Sequence, residues 1–345
     1  MLGYFFAFWA KILTEMEKLM NKKKLCSIAS VALGGVLLAS CSNINYKVKF
    51  SENWYLDTTY DIQPNAQETL VYDVHFEASA NADTAHRAIV YDKGVYTTTL
   101  KSEYSETHGG NIYRYTTRLE IPVTFECKAT GEISEKFTDV VTSEVLFTSA
   151  MQGFKPITST KTAISHSPTT VDEPTSLEAC YNHYNYTVDV TYDENSNGTG
   201  VLTNHLKDDA KKNYTFESAD EDYTTVDNEQ LLLAIRGISK ISSQKFSVFN
   251  SSWGSSLLVA LTAESSTSDE FTFKKNGEDF KATINYTPVT LKLDVSNSGG
   301  SQTVWVANTT ELNNNVYRNV ILYMEMPVFY SYGAFQYKLS QANFM

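Results

Sequence analysis

Apolar and polar residues alternate with a period of two through most of this chain, and the longest run is the clearest. Tyr113, Tyr115, Thr117, Leu119, Ile121, Val123, Phe125 and Cys127 fall on one side, with Arg114, Thr116, Arg118, Glu120, Pro122, Thr124, Glu126 and Lys128 on the other. Alternation sustained over about fifteen residues predicts a strand with one dry and one wet face, and it aims Cys127 inward. A turn at Ala129 to Glu132 leads into a second alternation of Ile133, Phe137, Val141, Val145 and Phe147, so the two segments are expected to form one long hairpin. Its arms would extend ~50 Å at ~3.4 Å per residue. Arms of that length favour one broad, curled antiparallel sheet over a compact sandwich. Pro122 cannot donate to a ladder and is expected at an edge or a bulge.

Other strand signals continue to the end of the chain. Asn276-Gly277 is a favoured two-residue turn that pairs Lys275 with Glu278 and sets Phe273 opposite Phe280. Tyr184, Tyr186, Val188, Val190 and Tyr192 alternate up to a turn-like stretch from Glu194 to Gly200. Further strands are expected through Val289 to Val295, Val304 to Val306, Tyr317 to Met324 and Phe335 to Leu339. One segment breaks the pattern. Asp227 with Gln230 three residues later has the spacing of a capping box, good helix formers follow, and Gly237 is placed to end a helix near 228–236. From Gly153 to Ala179 the chain is rich in Ser and Thr and holds Pro156, Pro168 and Pro174, which predicts either a long crossing loop or a domain boundary within 153–180. The expected fold is mainly β: a large curled antiparallel sheet with long strands and one short helix.

The first forty residues follow a different rule. Lys22, Lys23 and Lys24 precede a short apolar run that ends in Leu38-Ala39-Ser40-Cys41, which has the layout of a secretory signal. The earlier apolar stretch from Tyr4 to Leu13 contains Lys11 and falls well short of the ~20 residues a membrane span needs. Met20 is therefore the better start. The segment resembles a bacterial lipoprotein precursor, in which the cysteine after the small pair receives a diacylglycerol and becomes the new N-terminus. Carried over, the resemblance makes residues 1–40 a signal region and Cys41 the lipidated residue; 41–50 then reads as a tether, and the strand patterns make 51–345 a single β-rich domain. It implies an extracytoplasmic protein whose membrane partner is reached through the lipid, with two acyl chains contributing ~0.8 kcal/mol per buried methylene.

The body carries a second likeness. Long antiparallel strands, a Gly153-Phe154-Lys155-Pro156 kink midway and the Asp227 to Arg236 helix before the closing strands resemble bacterial envelope half-barrels of the LolA type. That resemblance implies a concave sheet whose apolar inner face shelters a lipid or other hydrophobic ligand. It brings no catalytic or ligand-binding motif.

Charge narrows the partners. The chain has a formal net charge of −12, and loss of the Lys-rich signal makes the remainder more acidic, so phosphate backbones and anionic headgroups are repelled and nucleic acid is not expected. With Cys26 removed and Cys41 lipidated, Cys127 and Cys180 remain, either as a disulfide of an exported protein or as two buried thiols.

Candidate chemistry is sparse. Asp193-Glu194-Asn195-Ser196-Asn197-Gly198 places Asp193, Asn195 and Asn197 like the first ligands of a calcium loop, but Asn204 stands where a bidentate Glu is needed, and a polar hairpin turn explains the same residues. Ser242-Ser243-Gln244-Lys245 has Ser-x-x-Lys spacing without its companion motifs. The histidines at 75, 86, 108, 166, 183 and 205 show no ligand spacing, and a cleft gathering His183, His205 and acids would be needed to suggest a hydrolase. No cofactor motif is present. Tyrosine is abundant, at 22 residues, which suits both a half-buried sheet and stacking on sugars or peptides. The sequence therefore points to a lipid-anchored, non-enzymatic binding or carrier module for a hydrophobic ligand or a surface glycan or peptide. The competing expectation is an adhesin or structural surface component that holds no small ligand.

Overall fold

The computed structural model describes residues 47–51, 67–79, 87–169, 174–220, 222–251, 254–293, 301–308, 319–327 and 333–344. The signal region with Met20, Leu38 and Cys41 lies outside the described residues.

Strands make up most of the chain. The first group is β1 (Gln67–Ala78), β2 (Arg87–Tyr91), β3 (Gly94–Ser105), β4 (Gly110–Cys127), β5 (Glu132–Ile133), β6 (Phe137–Thr148), β7 (Pro156–Pro168), β8 (Tyr181–Tyr192), β9 (Gly198–Asn204) and β10 (Ala210–Phe216). After β11 (Thr224–Asp227) comes the helix α1 (Leu231–Gly237). The second group is β12 (Gln244–Asn250), β13 (Ser255–Ala263), β14 (Thr267–Lys275), β15 (Glu278–Leu293), β16 (Gln302–Ala307), β17 (Ile321–Pro327) and β18 (Gly333–Phe344).

Pairing carries one sheet from β10 through β9, β8, β7, β6, β4, β3 and β1 to β18, and onward through β17, β16, β15, β13 and β12 to β11. The ladders are antiparallel except β11 on β12 and a two-residue contact of β14 with β18. The two ends of the sheet approach each other, where the rings of Phe216 on β10 and Phe249 on β12 stack. The sheet is thus a curled, barrel-like wall, as the long alternating strands predict.

The central hairpin obeys its pattern. All eight residues of the predicted dry face of β4, from Tyr113 to Cys127, are buried. Phe273 pairs with Phe280, and Asn276 and Gly277 both take the positive φ that this two-residue turn demands. Pro122 sits opposite a bulge: Tyr91 pairs with Val123 and Val95 with Glu120, so four steps from Tyr91 to Val95 face three on β4, where its partner changes from β2 to β3. The Pro122 carbonyl accepts from Asp92 N–H at 3.0 Å on that side, and because a strand residue directs both backbone groups the same way, its missing N–H faces the junction.

Four expectations are corrected. The Ser- and Thr-rich stretch after Gly153 is not a long crossing loop throughout: thirteen of its residues form β7, a strand between β6 and β8, begun by Pro156 where a missing N–H costs no ladder bond. Ile133 belongs to the short β5 and is exposed. The helix starts at Leu231, because Thr224–Asp227 is claimed by the ladder with β12 and Asp227 Oδ1 instead caps the Glu229 N–H at 2.7 Å in the turn that follows. Residues 47–51 are not free tether. Val48 is buried, Phe50 stacks on Phe154 at 4.4 Å, and Ser51 N–H donates to the carbonyl of Gly237 at 2.9 Å.

The hollow of the sheet is occupied. From the end of β11 the chain runs with α1 along its inner face, held by two ion pairs that are almost wholly buried. Arg236 on α1 forms a fork on Glu68 of β1, at 2.5 and 2.8 Å. Lys161 of β7 meets Glu229 at 2.7 Å, and Tyr192 of β8 donates to Asp227 at 2.5 Å. Gln230 Nε2 donates to the carbonyl of Phe154 at 2.8 Å. Phe154 itself is fully buried at φ 57, a conformation unusual for a bulky residue, and its ring stacks on Phe147 and Tyr113.

Candidate functional site

Where the inner segment meets the rim of the wall, the described residues enclose a cleft of about 670 Å³. Its walls come from three places: Lys47 and Val48 ahead of β1, Gly153 and Lys155 at the β6–β7 bend, and Glu194 to Asn197 in the β8–β9 turn. Ser218, Thr224 and Thr225 line it on the side of β11.

Local chemistry explains each wall. Asp193 Oδ1 accepts from the N–H groups of Asn195 and Asn197 at 2.8 and 2.9 Å, and Asp193 N–H donates to the Asn197 carbonyl at 2.7 Å, which folds the turn tightly enough to bury Ser196 at φ 61. Gly153 takes φ 85 after a turn of 3₁₀ helix, and this left-handed conformation lets the chain reverse into β7. Val48 N–H donates to Thr224 Oγ1 at 2.8 Å, and Lys47 Nζ to the Tyr223 carbonyl at 2.8 Å. Ser218 Oγ lies 2.8 Å from Thr225 Oγ1 and 3.1 Å from Ser247 Oγ. Lys155 Nζ donates to the Glu194 carbonyl at 2.9 Å and closes one side. Hydroxyls, carboxamides and two ammonium groups therefore face one opening. That set suits a ligand rich in hydroxyl or amide groups.

By contrast, the opening between α1 and the wall, beside Tyr96, Glu229 and Leu232, holds only about 20 Å³. A drug-sized ligand needs ~300 Å³ or more. A third concavity of about 470 Å³ lies on the sheet and includes Thr97, Thr99, Thr116, Thr142, Thr160 and Thr162. These threonines form rows across β3, β4, β6 and β7, since Thr99 pairs with Thr116 and Thr142 with Thr162.

The structure scatters most of the residues singled out from the sequence. Asp193, Asn195 and Asn197 do meet in one turn, but Asp193 Oδ1 is taken by backbone donors and Asn197 Oδ1 accepts from Ser218 N–H at 3.2 Å. Among the described residues, no group of three or more His, Cys, Asp or Glu side chains is arranged to hold a metal. His183 and His205 have different partners. His205 bonds Asp209 at 2.5 Å and Thr187 at 2.9 Å, while His183 stacks on the buried His166, whose Nδ1 meets Asp139 at 2.8 Å. Ser242 lies in the loop before β12 and Lys245 on that strand. Cys127 and Cys180 are both buried as free thiols in hydrogen-bond contact, with Cys127 Sγ also 3.6 Å from the Ser176 carbonyl.

Sequence reasoning missed the inner polar cluster. Burial, and then the charge of Glu229, push Asp227 up to about 6. Burial alone would raise Glu229 as well, but the Lys161 ammonium overrides it and holds that carboxyl well below its usual range. The same pairing keeps Lys161 charged against its own burial. The available signal was Lys161 falling in phase with Ser159 and Ala163, at inward positions of β7.

No protein-family profile matches the chain, and no curated protein matches it. Among solved structures, it is similar to a β-barrel-like protein of the domain of unknown function DUF1849 from Brucella abortus, with a TM-score of 0.42 and 9% identity over 83% of this chain and 100% of that one.

Proposed function

We propose that this is a lipid-anchored, non-enzymatic binding module of a bacterial envelope, which takes a polar glycan or peptide segment in the rim cleft and does not carry a lipid in its hollow. One observation carries the reading: the polar cleft is built partly from Lys47, six residues after Cys41, while the hollow is filled by α1 and its ion pairs. Tethered through Cys41, the cleft would lie at the root of the anchor and work close to the membrane surface.

The test uses the purified full chain in detergent on an array of bacterial surface glycans and short peptides. Binding that is lost in Thr225→Val and Lys155→Ala, with an unchanged circular dichroism spectrum, supports the reading. Absence of binding to any spot, or equal binding by both variants, overturns it. The threonine rows of the sheet favour a second reading, an adhesin that uses its broad face, and binding lost in Thr142→Val while the cleft variants bind normally would select it.

A further inference from the structure

Lys161, Asn228 and Glu229 meet inside the wall in an arrangement that an ordinary ion pair does not need. Lys161 Nζ and Asn228 Nδ2 both donate to the same oxygen, Glu229 Oε1, at 2.7 and 2.8 Å. The side chains of Lys161 and Glu229 are only 1% and 2% exposed. Tyr96 and Leu231 border the opening beside Asn228 and Glu229, and Tyr186 and Tyr192 lie close enough to interact electrostatically with Lys161 and Glu229, respectively. Asp227 points elsewhere, with its two oxygens taken by the Tyr192 hydroxyl and the Glu229 N–H.

We propose that Lys161 and Asn228 become joined by an intramolecular isopeptide bond, with Glu229 carrying the proton. The step balances without any co-reactant. Lys161 Nζ passes a proton to Glu229 Oε1 and, as a neutral amine, attacks Cγ of Asn228. The Nζ–Cγ bond forms, the proton on Oε1 goes to Nδ2, the regenerated carboxylate takes the second proton from Nζ, the Cγ–Nδ2 bond breaks, and the nitrogen leaves as ammonia that carries this last proton away as ammonium. Nothing is oxidised or reduced. One oxygen touches both the nitrogen that attacks and the nitrogen that leaves, so a single carboxylate serves as base and then as acid. Holding the groups together on one oxygen replaces a bimolecular encounter with an intramolecular one. The product would rivet β7 of the wall to the segment that leads into α1, and so lock the inner helix in the hollow covalently.

Mass spectrometry of the purified full chain decides the matter. The expected result is a tryptic map in which cleavage after Lys161 fails, a branched peptide joins Lys161 to the peptide containing Asn228, and the joined species is lighter by one ammonia. Glu229→Gln should then restore cleavage after Lys161, and Lys161→Arg should abolish the branched peptide. Recovery from the wild-type chain of a linear peptide ending at Lys161, with no branched species, overturns the proposal whatever the variants do. A link to Asp227 with loss of water overturns the assignment to Asn228.

Discussion

Replacing Glu68 by Leu tests how the inner helix is held. In the native chain the Arg236 guanidinium is 3% exposed and the Glu68 carboxylate 1%, and two hydrogen bonds of 2.5 and 2.8 Å join them. Burial would lower the Arg236 pKa, but the adjacent Glu68 charge and its hydrogen bonds raise it, so the guanidinium cannot escape by losing its proton. With the carboxylate gone, a charge stays buried beside Tyr72 and Tyr115 without its counter-ion. Breaking one side of such a pair costs ~3–5 kcal/mol, which is a large share of the ~5–15 kcal/mol that holds a typical domain together. The pair itself is a different quantity. Two charges removed from water lose about what their attraction returns, so Glu68→Leu combined with Arg236→Met should lie within ~1 kcal/mol of the parent or above it. Urea unfolding followed by tyrosine and tryptophan fluorescence measures all three chains, and the cycle should show a coupling of ~3 kcal/mol or more. If the single variant loses under ~1 kcal/mol, or the double variant loses the sum of both singles, α1 is not pinned through a desolvated pair.

Three other outcomes follow from the same interior. Asp227 titrates near 6 in the folded chain, so between about pH 6 and 4 the native state holds a proton that the unfolded state releases; stability should rise by up to ~3 kcal/mol as pH falls through that window. Glu229 has the opposite sign, contributing stability above its unfolded pKa that is lost only under stronger acid, so Asp227→Asn should flatten the melting temperature between pH 7 and 5, and an unaltered slope refutes the assignment. Phe154→Ala removes a ring stacked on Phe50, Tyr113 and Phe147 and should cost ~3–5 kcal/mol in chemical unfolding, whereas a loss under ~1 kcal/mol would show that the bend collapses to fill the space. Mild oxidation should join Cys127 to Cys180 and stabilise the fold by ~4 kcal/mol in the chain-entropy model, read by thiol titration and melting with Cys127→Ala as the control.

The parts of the fold legible in the sequence were those where period two stands alone. β4 was readable because apolar and charged residues alternate without interruption from Tyr113 to Lys128. β7 was not, since Thr158, Thr160 and Thr162 point outward while Ser159 and Lys161 point inward, leaving both faces polar and the alternation invisible. Three prolines then read as loop punctuation, although Pro156 and Pro168 only bound a strand. The N-terminal bound of α1 was blurred for a related reason: Asp227 and Gln230 have the spacing of a cap, but the ladder with β12 captures the backbone up to Asp227 first. For the candidate site, the Asp193 to Asn197 turn was visible as a turn. Its partners Lys47, Lys155 and Thr225 come from distant parts of the chain, and only the topology brings them to one rim.

Filling the hollow with a charged plug changes what a curled sheet can be used for. A carrier of acyl chains needs an apolar interior that opens and closes, and entry would have to displace Arg236 from Glu68 and Glu229 from Lys161, exposing buried charges at ~3–5 kcal/mol for each broken pair. A single acyl chain returns ~0.8 kcal/mol per buried methylene, so such a displacement is affordable in total energy but requires both pins to fail before any methylene is buried. The barrier therefore precedes the gain. The rim cleft breaks no buried ion pair, because the Lys47 and Lys155 ammonium groups are exposed and its walls are held by hydrogen bonds between side chains and backbone. On the proposed reading, recognition at the rim would leave both buried pairs in place, with α1 as the rigid base beneath it.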